Sequence, residues 1–427
     1  MSPTASRRGV KPGRIRRFGN PRHSRLGSLR YGGSAKMRPV ECRFRLAHSL
    51  LAPHLFEAPR LTVGCDVEFP ALMRKIKSRR ALSYADSGVS IDAADAAKTE
   101  MERTLATKEK RVLNSVGAFA SLYDASFPGY SHPVLVLKTE EPGSKQLLAF
   151  QHDRVESICQ DMVHHLINDI AVMGATPLSV QDAVICGKLD PRIIGRIVKA
   201  IAAVCREQGC VLTGGETSEQ PGVIAPGTYI LTSSVVGVVD RNKIIDGARI
   251  EAGDQLLGIA SNGLHTNGYS LVRRLMAENP RIIRKRVGRT TFLEAILKPH
   301  TCYYRAVRGL FDESGLHGMA HITGSGIEGN LERIVPRQLD ARIELANLRI
   351  LPIFKTLRDE GNMADPEMLR TFNMGTGLIL VAAPARAAKI RAWVKRQGHD
   401  CFPLGEMEVG SGKVRFAGKL NWVRRGS

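Results

Sequence analysis

Five short segments of this chain bring glycine together with acidic, basic or imidazole side chains, and two further pairs join His or Asn to Asp. Handling a phosphate and its counter-ion needs that mixture: carboxylates hold a hard cation through oxygen, and a basic group meets the phosphate oxygens. Lys138 to Lys145 reads KTEEPGSK and pairs two carboxylates with a lysine, but it is no Walker A loop, because GxxxxGK[ST] is absent from it. Thr213 to Gly222, TGGETSEQPG, has paired glycines that let backbone amides approach an anion with no Cβ in the way. Ser261 to Ser270, SNGLHTNGYS, lies between an expected strand and helix, so free N–H groups and His265 face the same loop. His321 to Gly326 (HITGSG), Glu367 to Gly375 (EMLRTFNMG), and the pairs His152-Asp153 and Asn168-Asp169 complete the set. Each has a plain alternative reading: a tight surface turn for GGE, a solvated hairpin for KTEEPGSK, a helix cap for either His/Asn-Asp pair. Jointly they point to an Mg-nucleotide enzyme with a phosphorylated substrate, and no HExxH or GxSxG pattern competes.

The elements that must position these segments alternate along the body. Pro133 to Lys138 is a short apolar run with strand length, and Val155 to Ile170 carries apolar residues at helical spacing. Sixteen helical residues span about 24 Å, so Asp153 and Asp169 cannot meet through that helix alone. Leu178 to Cys186 is strand-like; Asp190-Pro191 supplies an N-cap and first-turn proline, and Gly209 a helix stop. Tyr229 to Val239 is a long β-rich run. A second cycle follows the polar segment 240–254: strands at Gln255–Ala260, Gly377–Ala383 and near Phe402, and helices at Tyr269–Glu278, Thr301–Ser314, Ile353–Glu360 and Ala385–Gln397. The expected class is α/β (α+β), divided as 1–80, 81–242 and 243–427.

With 427 residues the chain has room for two domains. Its net charge of +21 suggests nucleic acid, but residues 1–80 hold 19 Lys/Arg against four Asp/Glu, so the excess belongs to an Arg/Gly/Pro/Ser-rich extension and the body is nearly balanced. That extension has the composition of a disordered segment. It reads as a dispensable addition, with Met73 an alternative start, as a nucleic-acid-binding arm, or as a transit peptide. No apolar run approaches the ~18 residues of a membrane span, and the eight dispersed cysteines form no CxxC, which suits free thiols in a reducing cytoplasm.

The motifs also resemble a known family in collinear order. YADSGVSID (84–92), NDIAVMGATP (168–177), GKLD (187–190), TGGETSEQPG, IDG (245–247), SNGLHTNGYSLVR, HITGSG and MLRTFNMG (368–375) are similar to segments of the phosphoribosylformylglycinamidine cyclo-ligase (aminoimidazole ribonucleotide synthetase) family of purine biosynthesis. The resemblance runs from about Tyr84 to Phe402. It implies a PurM-like two-domain architecture: an N-terminal α/β domain whose sheet pairs across a homodimer, and a C-terminal mixed-sheet α/β domain. It also implies ATP as co-substrate, Mg²⁺, a phosphoribosyl ligand and a cytoplasmic location. The family uses ATP to phosphorylate a formyl oxygen, and a tethered amine then closes the imidazole ring.

Carried over by position, the resemblance implies Asp86 in a segment that folds over ATP and Gly143 and Lys145 in the phosphate loop. Glu140, Asp153 and Asp169 are the implied metal ligands. Gly214, Gly215 and Glu216 lie near the substrate, and His265, Asn267, Gly268, His321 and Thr323 belong to two loops for the phosphoribosyl ligand and proton handling. His265, His321 and Lys145 are the implied catalytic residues. The family's TDGVGTK reads Thr139 to Lys145, TEEPGSK, here, with Glu140 for Asp, Glu141 for Gly and Pro142 for Val; HITGGG has Ser325 for its middle glycine. Relatives on the same architecture do other chemistry. A selenophosphate synthetase needs a cysteine that the span between Cys65 and Cys159 lacks, a HypE-like enzyme uses a C-terminal cysteine where this chain has Arg-Arg-Gly-Ser, and a thiamine-monophosphate kinase remains an alternative on fold alone. A catalytically silent relative is the other alternative.

Overall fold

A computed structural model of the chain describes residues 85–89, 91–114 and 118–423. The readings made on residues 1–80 lie outside these. The described residues fall in one compact unit built on two main sheets.

The first sheet contains β1 (Pro133–Glu140), β2 (Thr176–Cys186), β3 (Val211–Glu219) and β4 (Tyr229–Asp240) in the order β1-β4-β2-β3. Only β2 and β3 run parallel. Helices α1 (Ile91–Leu105), α2 (Lys145–Gln151), α3 (Val155–Ala171) and α4 (Pro191–Glu207) accompany it. Asp190 caps α4 by accepting from the Arg192 N–H, and Gly209 leaves the helix at φ +77°, as the sequence predicts. Strand β1 alternates: Val134, Val136, Lys138 and Glu140 turn inward, while Leu135, Leu137 and Thr139 face outward.

The second sheet has six strands in the order β12-β9-β11-β5-β10-β8. They are β5 (Gln255–Ala260), β8 (Leu316–His321), β9 (Leu339–Glu344), β10 (Thr376–Ala382), β11 (Cys401–Val409) and β12 (Val414–Ala417), with a small hairpin of β6 (Arg286–Val287) and β7 (Thr290–Thr291) alongside. All seven residues of β10 are buried, which matches an apolar run with neighbours on both edges. The helices here are α5 (Tyr269–Glu278), α6 (Phe292–Ile296), α7 (Tyr304–Val307), α8 (Gly326–Leu331), α9 (Pro352–Glu360), α10 (Asp365–Thr371) and α11 (Pro384–Arg396).

Two sequence expectations are corrected. TGGETSE is not a loop: β3 runs through it beside β2. The expected helix Thr301–Ser314 begins only at Tyr304 and tightens to 3₁₀ at Arg308–Leu310. Residues 297–303 lie along α3 instead, and α3 side chains take their backbone hydrogen bonds. Ser157 donates to the Leu297 carbonyl at 3.0 Å, Asp161 accepts from the His300 N–H at 2.7 Å, and Asn168 both donates to the Thr301 carbonyl and accepts from the Tyr303 N–H, at 2.8 and 2.7 Å. The backbone satisfied in this way had no need of internal helical bonds. The same polar stripe joins the first sheet's layer to the second's.

Candidate active site

The inward pair on β1, the C-terminal turns of α3 and the end of β8 converge. Lys138 Nζ lies 2.9 Å from Glu140 Oε2 and 3.0 Å from Asp169 Oδ2. His321 Nδ1 donates to Asp169 Oδ1 at 2.7 Å. That tautomer leaves His321 Nε2 as an acceptor, and it faces His300 Nε2 at 3.0 Å and the Asn168 amide at 3.5 Å. His165, one helical turn before Asp169, holds Nε2 at 3.7 Å from both Glu140 Oε2 and Asp169 Oδ2. The lip of this cluster is open to solvent: the side chains of Lys138, Glu140 and Asp169 are 33%, 24% and 20% exposed. The imidazoles lie behind it, buried.

Burial alone would raise the Asp169 carboxyl, but the His321 hydrogen bond and the cations around it hold it well below the usual carboxylate range. Burial would likewise lower the Lys138 ammonium, and Asp169 and Glu140 reverse that, so the net direction is upward. Burial pushes the His165 imidazole down to about 4, and it pushes His265 and His300 down as well, so these rings are neutral at pH 7.

The expected site residues divide. Glu140, Asp169 and His321 meet in the cluster. Asp153 does not: it precedes α3, about 24 Å from Asp169 along the helix, and its exposed carboxylate pairs with Arg196. Lys145 is fully buried, contrary to its expected place on a phosphate. Its Nζ contacts Asp161 at 2.8–2.9 Å, the Lys298 carbonyl at 2.7 Å and the His265 carbonyl at 3.1 Å, which uses all three of its protons. Burial raises the Asp161 carboxyl to about 6 and lowers the Lys145 ammonium, and the contact between them opposes both shifts.

His265 belongs to the cluster's rear. It adopts φ +61°, stacks on His300 with ring centroids 3.9 Å apart, and neither ring nitrogen has a partner. Gly143 packs near the Thr266 carbonyl, and Asn267 Oδ1 lies 3.3 Å from where a Cβ on Gly324 would be, so the 143, 267 and 324 loops adjoin. Gly268 opens α5 at φ +79°, with no room for a Cβ, which would lie 2.3 Å from the Phe372 ring. Thr323 donates to Asn330 Oδ1 at 3.1 Å. Ser325, where the resembled motif has glycine, takes φ +72°, a conformation that favours glycine.

Gly214, Gly215 and Glu216 lie elsewhere. β3 is the opposite edge of the first sheet from β1, three strand spacings or about 14 Å away. They line a hollow of about 730 Å³ that reaches Thr139 across the sheet and is floored by hydroxyls such as Thr217, Thr232 and Ser234. Asp182 also lines it; burial raises its carboxyl to about 7, and a Cβ on Gly215 would meet its Oδ1 at 2.0 Å. Asp86, in a short 3₁₀ turn, is exposed, and its neighbour Gly88 lies against Pro221 just past β3.

Sequence reading missed Lys138, His165, His300, Asp161 and Asp182. The signal for three of them was present. Strand alternation puts 138 on the face of 140, and 161, 165 and 169 recur every fourth residue of α3, on one side of the helix.

A family model described as AIR synthase related protein, N-terminal domain, matches residues 130–239, and the corresponding C-terminal domain matches 251–417. The phosphoribosylformylglycinamidine cyclo-ligase of Geobacillus kaustophilus (strain HTA426) is 41% identical over 342 residues, 79% of this chain and 99% of that protein. The chain belongs to the phosphoribosylformylglycinamidine cyclo-ligase family. A cyclo-ligase relative from Bacillus mycoides (strain KBAB4) is 39% identical over 79% of this chain and 98% of its own length. Among solved structures, thiamine-monophosphate kinase from Stenotrophomonas maltophilia K279a has a TM-score of 0.56 at 17% identity, covering 76% of this chain and 97% of its own. E. coli HypE gives 0.56 at 16%, covering 76% and 94%. These share with the cyclo-ligase family the PurM-like fold, and at such identity they speak to fold alone.

The family implies magnesium. Glu140 and Asp169 offer the carboxylate oxygens that a hard cation takes together with phosphate oxygens, so the donor pair fits. An imidazole and an ammonium stand at the same oxygens, and neither is a magnesium ligand of choice.

Proposed function

We propose that this chain is an ATP-dependent cyclo-ligase that converts formylglycinamidine ribonucleotide to aminoimidazole ribonucleotide, releasing ADP and phosphate, as its relatives' name implies. The observation that carries the reading is the junction of Asp169 with His321, which joins two of the family-like motifs in one charged cluster at an open lip. An amide oxygen is a poor leaving group until phosphorylated, and the attacking amine is already tethered, so holding the substrate supplies much of the rate. His321, fixed in one tautomer by Asp169, is positioned to take the proton shed by the amine as the ring closes, directly or through His300. Glu140 and Asp169 would hold the magnesium that accompanies ATP and screens its phosphate charge. The hydroxyl-floored hollow beside Thr139 and Gly214 suits the sugar-phosphate or nucleotide.

A homodimer in the cytoplasm completes this reading. Support for the dimer is the outward face of edge strand β1, where Leu135 and Leu137 are 53% and 71% exposed. Among the described residues no helix is long and apolar enough to cross a membrane.

The test is turnover by the full-length protein with formylglycinamidine ribonucleotide, ATP and magnesium, following ADP and the aminoimidazole product. ADP release that ignores the substrate, or its replacement by thiamine monophosphate as the better acceptor, would overturn the assignment.

A further inference from the structure

The Glu140–Asp169 pair is the place where the proposed reaction needs a divalent cation, and in this structure a cation is already there. Lys138 reaches it from its own strand: residues 138 and 140 are two apart on β1, so their side chains leave the same face. Its ammonium bridges the two carboxylates at 2.9 and 3.0 Å, the span of charge-assisted hydrogen bonds. We infer that Lys138 is a resident counter-cation that keeps free divalent metal off Glu140 and Asp169, so that the metal enters only with the triphosphate.

The physical argument is competition for the same lone pairs. The ammonium occupies Glu140 Oε2 and Asp169 Oδ2, the oxygens facing His165 Nε2. A free ion would have to shed water, displace a tethered charge and accept repulsion from it. A nucleotide–metal complex removes that obstacle, because its phosphates give the displaced ammonium a new anionic partner. The lysine stem is long enough to swing, and its 33% exposure leaves it a path outward.

This inference rests on reading the pair as the metal-facing carboxylates of the proposed reaction. Its test uses neither ATP nor substrate, so its failure leaves the turnover reading untouched and the converse holds. Mn²⁺ is titrated into the full-length, nucleotide-free protein and followed by electron paramagnetic resonance, with Lys138→Met and Lys138→Arg beside it. The wild type and Lys138→Arg are expected to show no tight site, and Lys138→Met to gain one at least ten-fold tighter, abolished by adding Asp169→Asn. A wild type that binds Mn²⁺ as tightly as Lys138→Met, or a folded Lys138→Met that gains nothing, overturns the inference. If Lys138→Met does not fold in metal-free buffer, Lys138→Ser replaces it and is read in the same way. Tight Mn²⁺ binding by the wild type alone is sufficient to reject the idea.

Discussion

His321 Nδ1 donates to Asp169 Oδ1 at 2.7 Å, and this bond ties the last turn of α3, under the first sheet, to the final residue of β8 in the second. It fixes the ring's tautomer, sets the acceptor nitrogen toward His300, and places the carboxylate where Lys138 also needs it.

Asp169→Asn keeps the shape and removes the charge. The imidazole loses the carboxylate that fixes its tautomer and orientation, so kcat is expected to fall by about 100-fold or more, the usual worth of a positioned acid–base group. Steady-state kinetics with both substrates checks this. A change confined to KM would place Asp169 in binding only.

Lys145→Met acts on stability. It strands the Asp161 carboxylate in the interior, and removing one partner of a buried pair costs about 3–5 kcal/mol. Urea unfolding is expected to show that loss, with most of it recovered in Lys145→Met/Asp161→Leu. A stable single variant with a raised KM for ATP would instead return Lys145 to the phosphate site.

Gly268→Ala tests the loop geometry. The added Cβ meets the Phe372 ring in a backbone conformation that L-residues rarely adopt, so a loss of about 1–3 kcal/mol is expected. Thermal melting measures it.

Acidification should unfold the metal-free protein through its buried imidazoles. Burial sets His165 at about 4 when folded, against about 6.5 unfolded, so between those pH values only the unfolded chain takes the proton. This contribution, about 3 kcal/mol, is full above pH 6.5 and gone by pH 4; His265 and His300 act in the same direction. The melting temperature in chelator is expected to fall from pH 7 to 5, less steeply in His165→Leu. A flat profile would show that these rings are reached by protons while folded.

Leu137→Glu should weaken a dimer built on β1 without unfolding the sheet, because the side chain faces outward. Sedimentation velocity is expected to shift toward the monomer.

Periodicity and punctuation were enough to mark half of the strands and most of the long helices, because apolar spacing of two or 3.6 and signals such as Asp190-Pro191 and Gly209 act locally. The motif order likewise carried the family. Tertiary structure decided which of those motifs meet. The sheet order sends Gly214 and Gly215 to the edge opposite Glu140, and Asp153 pairs with Arg196 of α4 instead of joining Asp169. Whether a lysine is open or enclosed also depends on segments far away in the chain: Lys145 is closed in by carbonyls at 265 and 298, and Lys138 is left at the lip. Spacing along a strand fixes the face a side chain takes, but only the packing of distant loops fixes what it finds there.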